Sequence, residues 1–179
     1  MNYYKNDGTI SDMHNCDYCQ IQLKGSHAQT NNAFTLISKS SIPLASSFEW
    51  YQGKDGYPIA YKSLDDPNLK LGHGVKLHKL LVDCPKGLVI DHINRDKLDN
   101  RIENLRICTP KENSYNRSKV NNIKYKGIKK SGNTWTASIT KDGVKHEIKN
   151  IATDKDAAIM YDLMAEELFG NFAAKNYID

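Results

Sequence analysis

Residues 77–117 read LHKLLVDCPKGLVIDHINRDKLDNRIENLRICTPKENSYNR. Leu88-Val89-Ile90 is apolar and β-branched, so it predicts a short strand that runs straight into Asp91-His92. The polar segment INRDKLDNRIEN follows as a loop, and Leu105-Arg106-Ile107-Cys108 returns as a second strand. Thr109-Pro110-Lys111-Glu112 then has the composition of a helix start, with Thr as N-cap, Pro at the first helical position and Glu at the third to complete a capping box. Asn113 falls in the first turn of that helix. The order is strand, loop, strand, helix, and the helix start is expected to set Asn113 beside the hairpin that carries Asp91 and His92.

Those residue types suit one chemistry. Cleaving a phosphodiester needs an activated water, a cation to hold the phosphate, and stabilisation of the departing 3′-oxygen. Asp91 and Asn113 offer two hard oxygen ligands of the kind Mg²⁺ or Mn²⁺ prefers. His92, with an ordinary pKa near 6.5, can take a proton from water at neutral pH. Asp-His pairs are common, however, and asparagine in a polar loop is ordinarily turn-forming, so the residues alone leave a structural reading open. His78, inside the apolar run LHKLLV, reads as a hydrogen-bonded packing residue more readily than as a cleft residue.

Outward on the N-terminal side, residues 1–30 are polar and lack sustained periodicity, which predicts a loosely ordered arm. Cys16 and Cys19 form a CxxC near His14 and His27. They supply half the ligands of a structural zinc site, and four reduced thiols are the simpler expectation. From Ala33 to Val82 strand-like runs alternate with turn signals and predict a small antiparallel sheet, with Trp50 and Tyr57 as packing residues. On the C-terminal side a polar connector precedes a second module at residues 119–179. There Trp135, Ala137 and Ile139 alternate with small polar residues, Asp142-Gly143 signals a type I′ hairpin, and Thr153 with Asp156 caps a helix carrying Ala157, Tyr161, Ala165 and Leu168 on one stripe. The fold class is therefore α+β: a polar arm (1–30), a sheet region with the central motif (31–118), and a three-stranded antiparallel sheet backed by one helix (119–179).

Charge supports a polyanionic partner. The net charge is only +4, but residues 76–150 hold 17 Lys and Arg against 8 Asp and Glu, so basic charge gathers where the motifs lie. No apolar run approaches the roughly 20 residues of a membrane span, and the start resembles no secretory signal. These features point to the cytoplasm, or the host cytoplasm if the chain is phage-encoded.

The central stretch resembles the HNH endonucleases, the ββα-metal enzymes found among phage and intron homing nucleases, over about forty residues without a gap. The resemblance implies that Asp91 and Asn113 are metal ligands for one Mg²⁺ or Mn²⁺, that His92 is the general base, and that Asn104 braces the loop and orients the histidine. Arg101, Arg106, Asn116 and Arg117 lie where phosphate contacts are expected. The last sixty residues are similar to the plant ethylene-response-factor type of DNA-binding domain, through Tyr125, Gly127, Trp135, Ala137, Ile139, Ala157, Ala158, Tyr161, Asp162, Gly170 and Asn176. That likeness implies a DNA-facing sheet bearing Lys126, Lys129, Lys130, Ser138, Thr140, Lys145 and Lys149. Lysine lacks the bidentate fork of arginine, so modest base selectivity is expected. By the same resemblance the N-terminal sheet region adds a further contact surface on the duplex. Together these readings describe a monomeric, free-standing homing-type nuclease acting on double-stranded DNA, with no organic cofactor. The competing reading is a DNA-binding regulator that keeps the HNH fold as a non-catalytic scaffold.

Overall fold

A computed structural model describes residues 10–12, 16–25, 33–63, 65, 70–117 and 124–176. The chain divides into two compact units, Met1–Cys108 and Thr109–Asp179, in a mixed α+β architecture of small, mainly antiparallel sheets.

In the first unit, β1 (Ile10–Asp12), β2 (Tyr18–Gln22) and β3 (Phe34–Ser38) pair antiparallel in sequence order. A helical turn, α1 (Ile42–Ala45), leads to a second antiparallel sheet of β4 (Tyr51–Gln52), β5 (Pro58–Lys62) and β6 (Lys70–Lys76). After α2 (Leu77–Leu81) comes the predicted hairpin: β7 (Val89–His92) and β9 (Leu105–Cys108) pair antiparallel from Val89↔Cys108 to His92↔Leu105. The loop between them supplies β8 (Asp99–Asn100), which joins the first sheet parallel to β3 through Leu36↔Asp99 and Ile37↔Asn100. Cys19, Ile21, Leu23, Ile37, Ala45, Trp50, Ala60 and Leu77 form the core, and the Trp50 indole N–H donates to the Ala45 carbonyl at 2.9 Å.

Two expectations are corrected here. Residues 16–25 are part of the folded sheet and core, not a loose arm. Cys19, Ile21 and Leu23 alternate into the core, a period of two that intervening glutamines and the short length conceal in the sequence. Cys19 is accordingly a fully buried packing residue and Cys16 is partly exposed; His14 and His27 lie outside the described residues. The approach to the hairpin through His78 is helical, because Leu77, Leu80 and Leu81 stand at helical spacing.

The second unit begins with α3 (Pro110–Tyr115), whose capping box is complete: the Glu112 N–H donates to the Thr109 hydroxyl, and the Glu112 carboxylate accepts from the Thr109 N–H at 2.8 Å. β10 (Ile128–Ser131), β11 (Thr134–Lys141) and β12 (Val144–Ile151) form an antiparallel sheet in sequence order. Asp142 and Gly143, at φ of 52° and 81°, make the tight turn between β11 and β12. Thr153 caps α4 (Asp154–Phe169), and Ala137 and Ile139 pack with Tyr161 and Ala165 of that helix. Gly127 is required by the packing: a Cβ there would stand 1.9 Å from the Tyr161 ring, and its φ is +76°. No helix among the described residues is long and apolar enough to cross a membrane.

Candidate active site

Asp91 and His92 end β7 and are both buried. Asp91 stands directly across the ladder from Arg106, so the two side chains share a face. The Arg106 guanidinium grips Asp91 Oδ2 with Nε at 2.9 Å and Nη2 at 2.7 Å. Leaving water costs a carboxylate several kcal/mol unless a counter-charge is supplied, and Arg106 supplies it. A residue expected to meet DNA phosphate thus has its head group on the acidic centre.

His92 is oriented by a residue the sequence did not single out. Asn100, fully buried on β8, places its Oδ1 3.2 Å from His92 Nε2. Its Nδ2 donates to the Thr35 hydroxyl at 2.9 Å and the Lys97 carbonyl at 3.0 Å. With both amide protons committed, the network assigns the carbonyl oxygen to the imidazole, so Nε2 carries the proton and the lone pair of the neutral ring sits on Nδ1. Thr35 in turn donates to the Leu98 carbonyl at 2.7 Å. The orientation of the histidine therefore traces back through Asn100 to β3 of the N-terminal sheet.

The hairpin loop is tied internally. Asn104 donates to Asn94 Oδ1 at 3.0 Å and to the Asp99 carbonyl at 2.7 Å, and accepts from the Asn94 N–H at 3.0 Å. Arg101, a second expected phosphate contact, forks onto Asp99 at 2.7 and 2.6 Å and so braces the loop. Ser38 accepts from the Ile102 N–H and donates to Glu103, again fastening the loop to β3.

Against His92 pack two rings. His78 meets it edge-on at 5.2 Å between centroids, and Tyr57 lies 5.8 Å from His92 and 4.9 Å from His78. Burial pushes His78 down to about 3. His78 is a packing residue, as expected, but its buried Nδ1 has no hydrogen-bond partner among the described residues. Burial also lowers His92, opposed by the Asn100 hydrogen bond and the Asp91 charge. Both imidazoles are accordingly neutral at physiological pH, the state in which a base can accept a proton.

Asn113 sits part-exposed on α3, in the second unit. Among the described residues no group of three or more His, Cys, Asp and Glu side chains is arranged to hold a metal. The donor chemistry nevertheless fits a small hard cation. The buried Asp91 carboxylate is a hard oxygen donor of the kind Mg²⁺ takes, with water and phosphate oxygens filling the other positions, and a cation, the Arg106 guanidinium, already lies on its Oδ2.

The remaining expected DNA contacts divide. Asn116 is buried at the end of α3, while Arg117 is exposed. The Lys126 ammonium donates to the Tyr115 and Arg117 carbonyls at 3.3 and 2.8 Å, so its head group faces α3. Strand register sets Lys129, Ser138, Thr140, Lys145 and Lys149 on the face of the sheet away from Ala137 and Ile139. Lys145 and Lys149 there hold Glu147 between them at 2.5 and 2.7 Å and keep its carboxyl down to about 2. Lys130 falls on the opposite face beside Trp135, its ammonium 6.0 Å over the ring, because adjacent strand residues alternate faces.

A family profile described as HNH endonuclease matches residues 83–115, from the turn before β7 to the end of α3. The uncharacterized HNH endonuclease L560 of Acanthamoeba polyphaga mimivirus is 44% identical over 149 residues, covering 82% of this chain and 76% of that protein. Protein 3.8 of Escherichia phage T7 is 33% identical over 93 residues, covering 50% and 76%. YosQ of Bacillus subtilis (strain 168), an SPbeta prophage protein named for an HNH homing endonuclease, is 40% identical over 50 residues, covering 28% and 29%. No solved structure matches.

Proposed function

This chain belongs to the HNH endonuclease family, and from that premise we propose that it nicks or cleaves double-stranded DNA by hydrolysing a phosphodiester bond, as a free-standing, monomeric homing-type enzyme. The observation that carries the reading is His92: a buried imidazole whose Nε2 is engaged by Asn100 and whose neighbour in sequence is a buried carboxylate.

His92 Nδ1 takes the proton of the attacking water as oxygen bonds to phosphorus and the bond to the 3′-oxygen breaks, leaving a 5′-phosphate and, once protonated, a 3′-hydroxyl. Asn100 keeps the ring in the tautomer that can do this, and Asn104 holds the loop that presents Asn100. Asp91 and Asn113 would hold Mg²⁺ or Mn²⁺, which would supply positive charge to the phosphate and the leaving oxygen. Arg106 balances the Asp91 charge before metal and substrate arrive. The C-terminal module acts as an ethylene-response-factor-type attachment domain, with Lys129, Ser138, Thr140, Lys145 and Lys149 facing the duplex. Lys145 and Lys149 exchange Glu147 for phosphate there, giving affinity with modest base selectivity.

The test is incubation of supercoiled and linear DNA with the wild type and His92→Ala, with Mg²⁺, Mn²⁺ or EDTA. Loss of the general base is expected to cost on the order of 10²–10⁴ in rate. If the wild type binds both DNAs and leaves them intact with either metal, the nuclease reading fails and a DNA-binding regulator on an HNH scaffold replaces it.

A further inference from the structure

We propose that the C-terminal module positions the metal ligand Asn113, with Phe169 acting as a positioning residue through the helix that carries it. The inference rests on the reading of Asn113 as a ligand. It begins from a weakness: α3 has six residues, far below the roughly 12–15 at which an isolated helix holds together, so its geometry must be imposed from outside.

Three contacts within the second unit impose it. The Tyr115 ring stacks on Phe169, the last residue of α4, at 4.0 Å between centroids and 13° between planes. The Lys126 ammonium bonds the Tyr115 and Arg117 carbonyls, satisfying acceptors that a helix C-terminus leaves exposed and placing a cation at its negative end. Lys111 pairs at 2.6 Å with Asp142 of the β11–β12 turn; both side chains are more than half exposed, so this pair guides more than it holds. Lys111 and Tyr115 are four residues apart and share one helix face, while Asn113, two residues from each, projects from the other. One face of α3 is fastened to the attachment module and the opposite face presents the ligand.

The full-length protein tests this by Mn²⁺ binding, read from the EPR signal of the free ion and so independent of turnover. Phe169→Leu keeps an apolar side chain and removes the stack. It is expected to weaken Mn²⁺ binding about 2- to 10-fold, as loss of an aromatic pair allows, while Phe169→Tyr keeps the wild-type value. Asn113→Ala weakens binding as well, and Asn113→Ala with Phe169→Leu binds no more weakly than Asn113→Ala alone, because the stack acts only through the ligand it positions. If Phe169→Leu binds Mn²⁺ like the wild type while Asn113→Ala does not, the positioning role falls and the ligand assignment stands. If Asn113→Ala leaves binding unchanged, the ligand assignment itself falls. A further loss in the double variant would mark Phe169 as a general stability residue and overturn the proposal. Should Phe169→Leu fail to fold by circular dichroism, Tyr115→Leu removes the same stack from the other side, and its Mn²⁺ affinity decides in the same way.

Discussion

Replacing Asn100 with alanine should separate positioning of the base from the base itself. The side chain is fully buried and bonds His92, Thr35 and the Lys97 carbonyl. Truncation leaves the Lys97 carbonyl and the His92 Nε2–H to find new partners, while Thr35 keeps its bond to Leu98. At about 1–3 kcal/mol for each buried group left unpaired, the folded state loses roughly 2–6 kcal/mol, a large part of a typical domain stability of about 5–15 kcal/mol. The catalytic cost is smaller. A neutral hydrogen bond of about 0.5–1.5 kcal/mol that selects ring orientation and tautomer corresponds to a roughly 2- to 10-fold lower cleavage rate, against the 10²–10⁴-fold expected for His92→Ala. Urea unfolding, with single-turnover nicking measured at a temperature where the variant is folded, gives both numbers. Asn100→Asp, which retains an acceptor for Nε2 and adds a negative charge that favours the imidazolium, should move the acid limb of the rate profile to higher pH. A folded Asn100→Ala that cleaves at the wild-type rate, or one as slow as His92→Ala, would refute the assignment of Asn100 as the group that orients the base.

Two other substitutions probe the same centre. Arg106→Met leaves the Asp91 carboxylate buried without its guanidinium and should cost on the order of 3–5 kcal/mol in EDTA. Millimolar Mg²⁺ should restore more stability to this variant than to the wild type, since the ion binds only the folded form, and equal Mg²⁺ effects on the two would remove Asp91 from the metal site. His78 supplies a pH signature. Its folded pKa, about 3, lies below the ordinary 6.5, so the unfolded chain binds the proton first and the stabilising contribution, present above pH 6.5, is lost as pH falls from there toward 3. The slope from this residue approaches 1.4 kcal/mol per pH unit. Urea titrations at pH 7, 6 and 5 should show a dependence that shrinks by about one proton in His78→Leu, and an unchanged slope would contradict the burial of a neutral His78.

What could be read in the sequence was whatever is local. The capping box at Thr109 and Glu112, the Asp142-Gly143 turn, and the alternation through Ala137 and Ile139 each depend on residues a few positions apart, and each forms as expected. Asp91, His92 and Asn104 share one hairpin and its loop, and their grouping with Asn113 rests on a spacing that resembles a known family. Asn100 was not legible: its partners are 65 residues away at Thr35 and eight at His92, and an asparagine in a polar loop signals nothing until a distant strand comes to lie beside it. The pairing of Arg101 with Asp99 and of Arg106 with Asp91 was hidden for a related reason, since sequence reports a positive charge but not the acidic partner that holds it. Lys130 differs from Lys129 only in parity, and the parity is fixed by register across β11.

The parallel pairing of β8 with β3 bears on how portable this catalytic unit is. The segment matched by the family profile begins at residue 83, which makes it look like a cassette that could be excised and grafted wherever a cutting function is wanted. Yet the tautomer of its histidine is set by Asn100, whose amide is oriented in part by Thr35 of β3, and the loop carrying Asn100 adds a strand to a sheet that begins, among the described residues, at residue 10. Transplanted alone, the segment would carry its donors and its histidine and leave behind the scaffold that aims the histidine. In this chain the unit that aims the histidine is therefore longer than the matched segment and includes β3 of the N-terminal sheet.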